Sequence, residues 1–255
     1  MIERPLKTPD RWIIAVFIAA PILLFSLPAL VGHPALAGDN LIQNFPLRVL
    51  SGRQLASGHL PLWNPLAFSG FPLLGSLNAG SMFPATWLFA FLPDQVAWIL
   101  NLASAYAAAA IGTYFLARWF RLGRLASAFG AVSYGFMGAM LGHMVHLGLI
   151  QGQALLPWAT LAVVVSADRM QGQDAPRSIR GALLSAGWPL LLLALCIGLA
   201  DLTGEPRSIA DLLVVLVVVG AWTFLRRENG GVRQRFHLLV GYGAASALGL
   251  MLSSV

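Results

Sequence analysis

Seven runs of roughly twenty apolar residues, separated by connectors that carry nearly all the charge, decide what this chain can fold into. They lie at about Trp12 to Val31, Val96 to Ala117, Leu125 to Leu141, Leu147 to Ala167, Ala182 to Ala200, Ile209 to Leu225 and Leu238 to Val255. About 20 helical residues cross the ~30 Å hydrocarbon core of a bilayer. Only 10% of the 255 residues are charged, against roughly 25% in soluble domains, so polar surface for a water-soluble fold is missing. One cysteine, Cys196, excludes a disulfide scaffold, and the apolar content excludes a disordered chain. The expected fold is an all-α, polytopic transmembrane helical bundle of about seven spans, a single membrane domain over 1–255. It divides into a head over 1–11, a first span over 12–31, a long loop over 32–95 and the remaining spans over 96–255.

The first run is not a signal peptide. It is longer than a signal's apolar region, contains Pro21 and Pro28, and is followed by further spans. The prolines predict a bend. Ser81 to Leu92 is too short to cross and reads as a re-entrant or interfacial segment.

Lys and Arg fall on alternate connectors. Arg4, Lys7 and Arg11, then Arg118, Arg121 and Arg124, then Arg169, Arg177 and Arg180, then Arg226, Arg227, Arg233 and Arg235 make thirteen of the sixteen. The other connectors hold only Arg48, Arg53 and Arg207. Basic loops stay in the cytoplasm, so the N-terminus is expected inside and the 32–95 loop outside. The net charge of +6 is thus a topology signal, and no nucleic-acid partner is implied. The chain stops at Ser253, Ser254 and Val255 beside an apolar run without a charged stop, which reads as the N-terminal portion of a longer protein.

The loop over 32–95 is rich in Trp, Phe, Leu and Pro, so it is expected to fold against the membrane surface. Leu41, Ile42, Phe45, Val49 and Leu50 approximate helical spacing, which predicts an amphipathic helix along the interface with Pro46 near its start. Asp39 precedes that helix. Its carboxylate suits a general base or a divalent-cation ligand, and equally suits a cap on the helix beginning near Leu41. His59, Trp63 and Asn64 lie in a Pro- and Gly-punctuated segment whose aromatic and amide groups fit a sugar ring or lipid head group, or simply an interfacial aromatic belt.

Two further outer clusters carry polar chemistry. His143 and His146 are three apart, a weak metal signal without a third ligand, and read better as helix-end histidines. Asp201, Glu205 and Arg207 share a short connector, where Arg207 suits a phosphate and a carboxylate suits a second acid or metal ligand, or the charges pair with one another. Asp211 enters the sixth run near its end and is a secondary candidate. No P-loop, nucleotide-binding glycine pattern, nucleophile elbow, HExxH or paired CxxC is present.

The ordered string Gly38-Asp39-Asn40, Gln43-Asn44-Phe45-Pro46, Gly58 through Pro65, Phe68 through Pro72 and Phe83-Pro84 resembles the first extracytoplasmic loop of YfhO-like bacterial membrane proteins, which belong to the GT-C class of glycosyltransferases. The Gly204-Glu205-Pro206 turn is a weaker match. The resemblance implies a multi-pass enzyme of the bacterial plasma membrane, in contact with membrane lipids. It would transfer a sugar from a polyprenyl-phosphate-linked donor to a cell-envelope acceptor outside the cytoplasm. Asp39 matches the acidic residue that serves such enzymes as base or metal contact, with a divalent cation as the possible cofactor. The departing phosphate would meet that ion or Arg48, Arg53 or Arg207, and His59, Trp63, Asn64 and Glu205 would shape the pocket. Family members are longer, so this portion alone need not be active. The competing readings are a non-enzymatic lipid or polysaccharide transporter and a structural subunit of an envelope complex.

Overall fold

The computed structural model describes residues 8–32, 34–171, 175–225 and 231–254. Arg4, Lys7, Arg226, Arg227 and Val255, used in the topology argument, lie outside the described residues. Helix α1 covers Thr8–Leu30. The long loop then forms a π-helical turn at Asn40–Asn44, α2 at Phe45–Ala56, a minimal hairpin of β1 (Trp63–Asn64) and β2 (Phe71–Pro72), and a 3-10 helix at Pro84–Ala90. Seven more helices follow: α3 (Asp94–Trp119), α4 (Arg124–Gly135), α5 (Gly138–Gly142), α6 (Leu147–Gln171), α7 (Ile179–Ser185), α8 (Gly187–Leu202) and α9 (Pro206–Leu225). Last comes α10 (Val232–Ser253).

Six helical segments among the described residues are long and apolar enough to cross a membrane, with α4 and α5 together counting as one. The pair α7 and α8, bent by 71°, makes a seventh when taken as one span. Leu213, Val214, Val217 and Val218 of α9 are all more than half exposed, a face that lipid accepts and water does not. The fold is that of a multi-pass α-helical membrane protein.

Proline explains where the helices break and where they survive. Pro189, in the first turn of α8, has no N–H for the Ser185 carbonyl, and its ring crowds that oxygen, so the fifth expected span splits. Arg169 Nη1 donates to the freed Ser185 oxygen at 2.9 Å. Pro157 leaves the Gln153 carbonyl of α6 without its usual amide in the same way, and Tyr134 Oη donates to it at 2.8 Å. There the helix continues, as α1 does through Pro21 and Pro28.

Helix α6 is the centre of the bundle, flanked by α3, α8 and α9 and buried along most of its length. Gly152 admits α9: a Cβ there would fall 2.0 Å from Ser208 Oγ. Cys196 is sealed in the core that α6 and α8 share.

The connectors segregate to the two ends of the bundle as their charge alternation predicts. At one end the Asp10 carboxylate accepts from Arg124 Nε at 3.0 Å and from Tyr114 Oη at 2.6 Å, tying α1 to the α3–α4 connector. At the other, Asn44 Nδ2 reaches Val145 O at 2.9 Å and Asn78 N reaches Gly204 O at 2.8 Å. These bonds join the long loop to the α5–α6 and α8–α9 turns.

The helix expected along the interface is present as α2, preceded by the π-helical turn. Leu41 and Ile42 point outward, 54% and 75% exposed, while α2 buries Leu47, Arg48, Val49, Ser51 and Gly52. The cause is close packing with the 3-10 helix, where a Cβ on Gly52 would lie 2.3 Å from Phe89 Cβ. The segment expected to be re-entrant is this 3-10 helix, lying on α2 and α3.

Candidate functional site

Asp39 stands at the π-helical turn but caps nothing: its side chain accepts no amide of the following turn. The capping role is therefore not what this carboxylate does. Its Oδ2 lies 3.5 Å from His146 Nε2, and both side chains are 47% exposed. His143 adds a second imidazole, with ring centroids 5.6 Å apart.

Two amides hold the turn that carries Asp39. Asn40 is fully buried and its Nδ2 donates to Met144 O at 3.0 Å; Asn44 Nδ2 donates to Val145 O and to Asn40 Oδ1, each at 2.9 Å. Gly38 packs against Val145 in the same contact. Three successive residues of the α5–α6 turn, 144–146, thus line up against the start of the loop. Asn40 and Asn44 were not among the sequence candidates, although their spacing of four places both on one face of a helical turn.

His143 Nδ1 bonds Ala139 O at 2.9 Å, which orients the ring and leaves Nε2 outward. Among the described residues no three His, Cys, Asp or Glu side chains converge as a metal-ligand group, and Asp39, His143 and His146 stand as a carboxylate beside two imidazoles.

Arg48, expected to meet a phosphate at the surface, is completely buried. Its Nη1 donates to Thr86 Oγ1 and to Gly80 O, and Nη2 donates to Gln151 Oε1 at 3.2 Å. Gln151 Nε2 in turn donates to Asn101 Oδ1 at 2.7 Å. Burial pushes the guanidinium down to about 9, still well above neutrality, so the cation persists at pH 7. Among the described residues no carboxylate lies within ion-pair distance of it. Asn101 and Gln151 lie in the second and fourth apolar runs, where an amide is costly unless bonded, and that was the available signal for this network.

The remaining candidates are dispersed. Arg53 pairs with Asp94 at 3.0 Å in the open. Asn64 is buried and its Oδ1 accepts from Leu66 N at 2.8 Å, which makes it a turn former. Trp63 is half exposed and covers Gly70, and His59 is exposed beyond α2. Glu205 lies beside Gly148 at the start of α6, and its Oε1 accepts from Arg207 N at 3.4 Å; the Arg207 side chain is exposed. Asp211 sits in the second turn of α9, half-buried. Asp201 lines a cleft of about 150 Å³ between the long loop and the α8–α9 turn. A larger cavity of about 200 Å³, lined by Trp119, Arg121 and Trp222, lies at the Arg-rich end and holds none of the candidates.

Comparison of the chain with protein-family models, with curated proteins and with solved structures gives no match.

Proposed function

We propose that the chain is part of a membrane glycosyltransferase that moves a sugar from a polyprenyl-phosphate donor to a cell-envelope acceptor on the extracytoplasmic face of the bacterial plasma membrane. The observation that carries this reading is the Asp39 carboxylate: half exposed, capping nothing, 3.5 Å from His146 and fixed in place by two buried asparagines. A half-exposed carboxylate that caps no helix and stands beside an imidazole is open to an acceptor hydroxyl, which supports this reading.

In the proposed reaction Asp39 takes the proton of the acceptor hydroxyl as the oxygen attacks the anomeric carbon. The bond to the phosphate oxygen breaks, the electron pair leaves with polyprenyl phosphate, and the anomeric centre inverts. His146, 3.5 Å away, orients the carboxylate.

The test is transfer of radiolabel from a polyprenyl-phosphate sugar to lipid or glycan by the full chain in lipid nanodiscs, with Asp39→Asn alongside. Transfer lost in the variant supports the assignment. Transfer that survives Asp39→Asn removes Asp39 as base. Donor binding without transfer by the unaltered chain favours a transporter or scaffold.

A further inference from the structure

The connector between α3 and α4 carries three arginines, and two of them hold the turn itself. Arg118 Nη1 donates to Leu122 O, and Arg124 pairs with Asp10 at 3.0 Å. The Arg121 side chain makes no hydrogen bond or ion pair among the described residues. It lines the cavity of about 200 Å³ at this end of the bundle.

Arg121 also stands where an arginine is unfavourable. Leu122 N donates to Ala117 O at 3.2 Å and Arg121 N to Arg118 O at 3.0 Å, the paired bonds of a Schellman cap, and Arg121 takes the left-handed position with φ +63°. Glycine is the usual occupant, because a side chain in that region crowds the backbone. A strained arginine beside a cavity points to a role for its side chain. The flanking Phe120 and Leu122 are each about half exposed, a surface that suits lipid better than water.

The cavity lies where α3 and α9 both end against the last turn of α6. Trp119, Trp222 and Asp168 line it with Arg121, so it holds two indoles, one carboxylate and one guanidinium. Its lining is neutral in sum and strongly dipolar. Asp168 and Trp222 each have a partner already. A carboxylate accepts at up to about four positions and an indole has a second face, so both keep capacity for a ligand. An interfacial tryptophan belt accounts for indoles at this depth but not for opposed charges beside them.

We infer that this cavity binds the phosphoethanolamine head group of a phospholipid, with Arg121 on the phosphate and Asp168 and the two indoles on the ammonium. An anionic head group would meet like charge at Asp168, and a bare ammonium would meet it at Arg121. A zwitterion satisfies both. The ammonium of ethanolamine carries N–H donors that a carboxylate accepts, and its charge favours an indole face. At about 200 Å³ the cavity is below the roughly 300–1,000 Å³ of pockets that enclose whole drug-sized ligands, which fits a head group whose acyl chains run outside past Phe120 and Leu122. The site lies at the end of the bundle opposite Asp39, and the inference stands whether or not the chain transfers sugars.

The test adds phosphatidylethanolamine or phosphatidylglycerol with the same acyl chains to the delipidated full chain in detergent and measures retained lipid by native mass spectrometry. Phosphatidylethanolamine is expected to be retained about two- to fivefold more, the scale of one partly exposed charge contact, and Asp168→Asn should remove that preference. Arg121→Gly should lower retention of both lipids by about two- to fivefold. It also relieves the left-handed backbone, so its thermal midpoint should equal or exceed that of the unaltered chain, which separates lost binding from lost folding. A diazirine-bearing phosphatidylethanolamine should label peptides containing 119–123 and 222–223. O-phosphoethanolamine that displaces the lipid at similar concentration identifies the free compound as the ligand and supports the site. Equal retention of the two lipids, a preference that survives Asp168→Asn, retention indifferent to Arg121→Gly, or labelling confined to other peptides overturns it.

Discussion

At the scale of single residues, the loop end of the molecule separates groups that stabilise from groups that do not. Asp39 bonds no amide, so Asp39→Asn should leave the thermal midpoint unchanged while lowering transfer by about 10²- to 10⁴-fold, the usual contribution of a general base. Asn40 is the converse. Its buried amide anchors the turn, and Asn40→Ala should cost about 1–3 kcal/mol in denaturation, the penalty of stranding buried polar partners. Arg48→Met tests the buried cation. Removing the guanidinium strands the buried Gln151 Oε1 and takes a donor from Thr86 Oγ1. Arg48→Met should therefore lower stability by about 1–3 kcal/mol, read by chemical denaturation. Asp39 was legible in the sequence because a carboxylate beside an apolar run is conspicuous. The surroundings of Arg48 were not, because its partners Gly80, Thr86 and Gln151 lie 32, 38 and 103 residues away.

At the scale of elements, hydrophobic runs located the helices well and their faces poorly. The run lengths placed the spans, and Pro189 accounts for the split of the fifth. Apolar spacing carries no information about Gly52, whose missing side chain draws α2 onto Phe89. Gly52→Ala should open this contact and cost about 1–3 kcal/mol, as overpacking does, since the obstructing atoms include the Phe89 backbone; chemical denaturation measures it. The hairpin between α2 and the 3-10 helix had no strand signal, being two residues per strand. It exposes Leu60, Leu62, Trp63, Leu66 and Phe68, each at least half uncovered. With Trp63 kept as the sole tryptophan, brominated lipids should quench its fluorescence strongly, and Trp63 emission unaffected by bromine would place the hairpin in water.

At the scale of the whole molecule, the charge alternation anticipated which connectors meet. Asp10 with Arg124, and Asn78 with Gly204, join segments more than a hundred residues apart at opposite ends of the bundle. With the orientation expected from the charge bias, a cysteine at position 39 in intact cells should react with an impermeant maleimide, and one at position 121 only after permeabilisation; the reverse pattern would refute that orientation. The pattern could not show how closely α6 and α9 approach, because that rests on Gly152 meeting Ser208 across two runs that look alike in hydropathy. The burial of Cys196 has a practical corollary for such mapping. The native thiol is shielded from polar reagents, so introduced cysteines can be read one at a time against a silent background, with no need to delete the natural one first.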